Sequence, residues 1–403
     1  MSQTPNPAPE SSESSESSGA LPFLTSWEEK STESRWATLC PPDERRLIGM
    51  MLAVKLLIFL FAVQSYHVWM DQRTVDVLGW LEIWNRWDAQ HYLTIAVEGY
   101  SAAVEKRFLL VFYPLYPWLI RLVNAVVRDP LVSAFLVSTV FSLLAGILLY
   151  RLTRLDYSER VARRAVWFLF IFPTSYFLHI GYSESMFLAI VLAAVYQARK
   201  ERWWVAGALG ALAGASRGPG ILMAGVLAVE AWRQFRSTRQ WQWSWTWIAL
   251  SPLGFVAYLL VNRQVTGNPW TFMQVAREHF YVALSWPWVS IETALRSLDR
   301  NPAGAEMVGT QVLLFMLISL VAVAASWWKL HPLNSAWITA NWLLVISMSF
   351  VISFPRFTLM MFPIFILLAL LAEKPIWERL VSLWMLINLG FFVSLFVRGY
   401  WAF

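Results

Sequence analysis

Residues 108–127, FLLVFYPLYPWLIRLVNAVV, decide the fold, because they are apolar enough to cross a bilayer and every later loop changes sides with them. A spanning helix needs about 20 mostly apolar residues. Segments 47–67, 131–150, 165–181, 183–198, 203–216, 219–233, 244–262, 308–328, 334–353, 357–372 and 376–397 meet or approach that requirement, about eleven crossings. Several are short and nearly abut, so adjacent pairs are expected to be tilted or broken helices. Basic clusters test the count: RLTRLDYSERVARR (151–164), RKER (199–202), RQFRSTR (233–239), WWKLH (327–331) and EKPIWER (373–379). Cytoplasmic loops carry the excess of Lys and Arg. With a cytoplasmic N-terminus, the eleven segments place all five clusters inside. Counting 108–127 as a further span would place them outside. The stretch is therefore read as a non-spanning helix at the outer interface, and Pro114, Pro117, Arg121 and Arg128 fit a broken, interface-bound segment.

The bulk composition agrees with a membrane chain. Its 403 residues are 58% hydrophobic and only 14% charged, with mean hydropathy +0.49, whereas soluble domains run near a quarter charged. Twenty-five tryptophans suit the bilayer interface, where the ring is buried and the N–H stays wet. Cys40 is the sole cysteine, which excludes an intramolecular disulfide and a cysteine-built metal site. The net charge of +6 sits in clusters between apolar segments, so it reads as topology and not as nucleic-acid binding. Residues 1–35, rich in Ser, Glu and Pro, are expected to be a disordered cytoplasmic tail without a cleavable signal. Residues 36–403 are expected to form one multi-span membrane domain, with external loops at 68–130 and 263–307.

That topology gathers charges on one face. Asp88, His91 and Glu98 lie in WNRWDAQHYLTIAVEGY (84–100), Glu184 in the GYSES turn (181–185), Arg217 in SRGPG (216–220) and Arg356 in SFPRF (353–357). A charge at the centre of a spanning helix costs at least about 2.5–3.5 kcal/mol, so such groups persist when paired or when a polar cavity needs them. An acidic set and a basic set on one face describe a site for a partly anionic substrate. Each residue also has a plainer reading. Asp88 can cap a helix beginning near Ala89, His91 can bond a backbone carbonyl, Glu184 can pair with Arg217, and Arg356 can snorkel to headgroups. Glu98 and Gly99 read as a helix end, and Arg86 as packing. No run matches a Walker loop, a dinucleotide fingerprint or HExxH.

The order WDAQHYLTIAVEGY, FYPLYP, FPTSYFLHIGYSES, ASRGPG and SFPRFTLMMFPIF resembles the PIG-V family of membrane mannosyltransferases in its prokaryotic branch, within the GT-C glycosyltransferase superfamily. The resemblance covers roughly residues 80–400. It implies an all-α polytopic GT-C fold with juxtamembrane helices in a large first external loop, set in a prokaryotic plasma membrane. It also implies a polyprenyl-phosphate-linked sugar donor and a catalytic base at the position of Asp88. Expected partners are that lipid donor, the bilayer, and a glycan, glycolipid or protein acceptor.

A lipid-phosphate sugar carries its own leaving group, so the chemistry needs a base and phosphate ligands. Asp88 is assigned as general base, and Arg356 and Arg217 as donor-phosphate ligands. His91 is a helper, and Glu184 a hydroxyl ligand or substitute base. Direct displacement would invert the anomeric centre. No cofactor is required on this reading; for a divalent metal, Asp88 and His91 share a helix face but spacing fixes no third ligand. The competing class is a flippase of lipid-linked sugars, against which stand the absence of an internal repeat and the one-sided charges.

Overall fold

The computed structural model describes residues 41–403, so the tail expected at 1–35 lies outside the described residues. The chain divides into two units, Met1–Arg45 and Arg46–Phe403. Of the first, only residues 41–45 are described, and the second carries the fold. Among the described residues the secondary structure is helical apart from one isolated bridge, Leu284 with Met348.

Among the described residues, five helical runs are long and apolar enough to cross a membrane: Pro42–Met70 (α1), Pro130–Thr153 (α5), Trp243–Thr266, Pro302–Lys329 and Pro375–Val397 (α17). Between α1 and α5 lie three shorter helices, Val77–Glu82 (α2), Asp88–Glu98 (α3) and Leu115–Val127 (α4). The deciding stretch is split: a 3-10 turn at Arg107–Val111, extended backbone at Phe112, then the 13 residues of α4. Thirteen helical residues reach only about 20 Å, short of a hydrocarbon core of about 30 Å. Arg121, read from sequence as an interfacial charge, caps α3: its Nε donates to the Ala96 carbonyl at 2.6 Å and its Nη2 to that of Ile95 at 3.2 Å. Glu98 pairs with Lys106, while Gly99, at φ 87°, closes α3.

Other candidate crossings are broken or short. Segment 165–181 is the end of Glu159–Ile171 (α6), a break at Phe172–Pro173, and a 3-10 turn at Ser175–Leu178. Segment 183–198 is Glu184–Arg199 (α7), 16 residues buried on nearly every side. Trp203–Ser216 (α8) and Met223–Thr238 (α9) come next in the chain. The Trp243–Thr266 run is a 3-10 stretch leading into Leu253–Thr266 (α10). Thr271–His279 (α11) and Pro287–Arg296 (α12) occupy the second long loop. The Pro302–Lys329 run ends in Gln311–Lys329 (α13), succeeded by Pro332–Ile346 (α14). Segment 357–372 is broken by proline into Phe354–Leu359 (α15) and Pro363–Leu371 (α16).

The core centres on α7, which packs between α5 and α8. Helix α8 carries small residues toward α10 and its preceding turn. A Cβ added at Gly254 would stand 1.6 Å from the Ala211 carbonyl oxygen, and one at Gly207 2.1 Å from that of Trp247. Backbones approach that closely only through glycine, as in tightly packed membrane helices. The contact sets where α8 ends, and so where Arg217 begins its reach. A half-buried lysine in α1 adds a second constraint: Lys55 Nζ donates to Thr139 Oγ1 on α5 and to the His179 carbonyl at 3.2 Å, just before the GYSES turn.

Candidate active site

Four helix ends converge on one charged chain. Helix α3 starts at Asp88, and its N-cap residue, Trp87, supplies no side-chain cap. Asp88 is thus the first residue of α3 and not its N-cap, and its carboxylate reaches across to another helix. Its Oδ2 accepts from Arg356 Nη1 at 2.7 Å. Arg356, on the short helix α15, turns its Nε to Glu184 Oε1. Glu184 opens α7, and the same Oε1 accepts from Arg217 Nη1 at 2.5 Å. Arg217 sits just past the end of α8 and also donates from Nη1 to Ser183 Oγ at 2.9 Å. The order is Asp88, Arg356, Glu184, Arg217: two carboxylates and two guanidiniums, with no net charge.

The neutral partners are as specific. Tyr92, one turn beyond Asp88, shares a 2.8 Å hydrogen bond with Ser183 Oγ. Burial pushes its phenol up to about 12, so the hydroxyl stays protonated at neutral pH. The Arg356 guanidinium lies between the rings of Phe177 and Tyr182, 4.7 Å from each centroid. Tyr182 in turn donates from its hydroxyl to the Arg86 carbonyl at 2.9 Å, pinning the backbone that leads into α3. A planar guanidinium stacked on aromatics while two of its nitrogens bind carboxylates has one orientation.

A cavity of about 490 Å³ opens beside this chain, lined by Asp88, His91, Tyr92, Arg217 and Arg356 and by Ala276, Phe280 and Val282 of the second long loop. That loop is tied down by Ser285 N–H to the Ser347 carbonyl and Ser349 N–H to the Ala283 carbonyl, each 2.8 Å. The two carboxylates differ in access. The Asp88 side chain is 30% exposed and lines the cavity, whereas Glu184 is fully buried and does not. His91 lies edge-on to Phe108 and tilted against Phe112, 5.0 and 5.2 Å between ring centres. Burial pushes its imidazole below the ordinary range and His279 adds to that, against an opposing pull from Asp88, so the ring is neutral at neutral pH.

The structure thus brings all five candidates together. Asp88, Glu184, Arg217 and Arg356 form one bonded chain, and His91 shares the cavity wall. Arg86 contributes its carbonyl, and Glu98 lies apart with Lys106. Among the described residues no group of three His, Cys, Asp or Glu could hold a metal ion. Sequence reasoning missed Tyr92, Ser183 and Tyr182. The signal was present: Tyr92 is four residues past Asp88, hence on its helix face, and Tyr182 and Ser183 directly precede Glu184.

The family model described as mannosyltransferase (PIG-V) matches residues 57–258, half of the chain. The chain is similar to the mouse GPI alpha-1,6-mannosyltransferase 2, 34% identical over 179 residues, which cover 42% of this chain and 35% of that protein. The human protein of the same name is 30% identical over 169 residues, 39% of this chain and 33% of its own length. The matches therefore span about a third of these relatives. Among solved structures, the apo oligosaccharyltransferase of Archaeoglobus fulgidus is similar with a TM-score of 0.47 and 11% identity, covering 87% of this chain and 56% of that one.

Proposed function

Because this chain belongs to the PIG-V mannosyltransferase family, we propose that it transfers mannose from a polyprenyl-phosphate-linked donor to an acceptor hydroxyl, with Asp88 as general base. One observation carries the assignment: of the two carboxylates held by the arginine pair, only Asp88 reaches the cavity. The acceptor O–H gives its proton to the Asp88 carboxylate as its oxygen bonds to the anomeric carbon. The bond from that carbon to the phosphate oxygen breaks, and its electron pair leaves with polyprenyl phosphate. Attack opposite the leaving group inverts the anomeric centre.

Arg217 and Arg356 receive the phosphate. A guanidinium carries five N–H donors. Arg356 uses Nε and Nη1 on the two carboxylates and Arg217 uses Nη1 on Ser183 and Glu184, so both keep donors for phosphate oxygens on which charge develops. Glu184 holds both arginines at the spacing the phosphate needs. Neutral His91 is a hydrogen-bonding helper at the cavity wall. No cofactor takes part in this scheme.

Charge sorting along the helices supports a site on one membrane face, the external one in the topology derived from the basic clusters. Helix α7 runs from Glu184 at the site to Arg199, which forms a two-pronged pair with Asp156 at the far end. Sixteen helical residues separate these ends by about 24 Å. Arg236, in the last turn of α9, and Lys329, at the end of α13, also lie at helix ends away from the site. The test is turnover of polyprenyl-phosphate mannose by the purified full chain in detergent. Transfer to an added acceptor is expected without a sealed membrane. Activity confined to sealed vesicles, as translocation between compartments, would overturn the assignment in favour of a flippase.

A further inference from the structure

Helix α12, in the second long loop, is inverted relative to a helix folded in water. At 3.6 residues per turn its side chains fall on three arcs. Ser290, Thr293 and Ala294, with Ser297 in the turn that follows, form the arc packed on the protein. Ser290, Ala294 and Ser297 are buried, the Ser290 hydroxyl donates to the Ile346 carbonyl at 2.8 Å, and the Thr293 hydroxyl donates to that of Ser349 at 3.3 Å. Trp288, Ile291 and Leu295, with Leu298 in the same turn, form a second arc and are 39–59% exposed. Glu292 and Arg296, paired at 2.5 Å, form the third with Asp299, all exposed. A helix in water buries its apolar stripe. This one buries small, mostly polar residues and turns its large apolar side chains outward.

The exposed apolar surface continues past the helix. Trp286 stacks on Trp288 with ring centres 5.0 Å apart and planes at 5°, and Tyr281 and Leu284 before them are exposed as well. A contiguous exposed apolar patch marks a protein partner or a membrane. Three observations choose the membrane. The charged arc runs beside the apolar one along the whole helix, which is the pattern of a helix lying in the plane of the interface. Paired indoles suit that depth, with the ring in lipid and the N–H in water. The crossing Pro302–Lys329 begins six residues after α12 ends, so the bilayer is within reach.

We propose that α12 lies in the bilayer interface on the side of the active site, with Trp288, Ile291, Leu295 and Leu298 among the acyl chains, and that it holds the wall of the cavity at the level from which a lipid-linked substrate enters. The wall in question is the segment after α14, where Met348, Phe350 and Val351 line the cavity. It hangs on α12 through Ser290 and Thr293, and on the residues before α12 through the Ser285–Ser347 and Ser349–Ala283 bonds. Three residues after Ile352 and Ser353, which also line the cavity, the chain reaches Arg356. The second long loop is therefore membrane-seated and not a free external loop. The part of the proposal that concerns substrate entry rests on the lipid-linked donor; the seating of α12 does not.

The test is fluorescence of an environment-sensitive label on a single cysteine, with Cys40 replaced by serine, in the full chain reconstituted into phosphatidylcholine–phosphatidylglycerol vesicles. A label on Leu295→Cys should be blue-shifted, quenched by lipids brominated on their acyl chains, and spared by aqueous iodide. A label on Arg296→Cys, one residue on but in the charged arc, should be quenched by iodide. Iodide quenching of both overturns the seating. A Leu295→Cys label shielded from iodide and from the brominated lipids also overturns it, in favour of a protein partner. In transfer assays Leu295→Glu should raise the KM for a long-chain polyprenyl-phosphate mannose in vesicles roughly tenfold, and leave the KM for a water-soluble short-chain donor unchanged. An unchanged KM for the long-chain donor overturns the role in substrate entry. Absence of turnover of either donor by the wild type would overturn the proposed function alone, because the label reads the seating of α12 without any transfer.

Discussion

Replacing Glu184 by Gln tests whether this carboxylate organises the site or performs its chemistry. Glu184 is fully buried, and one of its oxygens accepts from both Arg217 and Arg356. Removing one member of a buried ion pair typically costs about 3–5 kcal/mol, because the partner charge is left uncompensated. Here two guanidiniums share the loss. Arg356 keeps Asp88, and Arg217 keeps Ser183. A glutamine oxygen can still accept one N–H, so the low end, about 3 kcal/mol, is expected. Asp88→Asn should cost much less, about 1 kcal/mol or under, because Asp88 is partly exposed and solvent screens its pair. The two variants should therefore rank oppositely in two assays. In thermal unfolding at fixed scan rate, monitored by intrinsic fluorescence, Glu184→Gln should melt well below Asp88→Asn. In transfer assays Glu184→Gln should raise the donor KM and retain measurable kcat, whereas Asp88→Asn loses kcat. A Glu184→Gln protein that melts with wild type would refute the claim that Glu184 holds the arginines in place.

The geometry makes three further outcomes testable. Arg356→Lys replaces a fork with a point charge that cannot hold Glu184 and Asp88 together, so donor binding should weaken roughly tenfold or more by equilibrium titration. Gly254→Ala forces a methyl group into the Ala211 carbonyl; the α8–α10 contact must open, giving a lower melting temperature and a raised donor KM through displacement of Arg217. His91, held below its ordinary value of 6.5, binds fewer protons folded than unfolded. Its contribution to stability is complete above that value and is lost as pH falls through the depressed folded value, so melting temperature should drop on acidification below about 6.5, and less steeply in His91→Asn.

Much of this was legible in the chain, for physical reasons that differ by residue. Membrane residence follows from apolar length and charge clusters, which need no tertiary information. Asp88, Glu184, Arg217 and Arg356 stood out because charge among apolar runs is costly and demands a reason. The pairing order was not legible. Sequence pointed to a Glu184–Arg217 bond, but Arg356 bridging two carboxylates depends on where tertiary packing sets α15 against the start of α7, which no local pattern encodes. Helix lengths were blurred for a related reason. Pro173 and Pro363 break apolar stretches that hydropathy reads as continuous, and α7 is shorter than a crossing because protein surrounds it. Trp288, Ile291 and Leu295 were read only as part of an external loop; the burial of Ser290 and Ala294 is what turns that apolar face outward.

The central claim is that Asp88 takes the acceptor proton while the arginines hold the donor. Its most direct test is a paired measurement on purified Asp88→Asn: mannose transfer from polyprenyl-phosphate mannose, and equilibrium binding of the same donor. A general base contributes about 10²–10⁴-fold. Transfer should fall by at least about a hundredfold, with donor affinity within about threefold of wild type, since Arg217 and Arg356 remain. Transfer by Asp88→Asn at the wild-type rate would contradict the account.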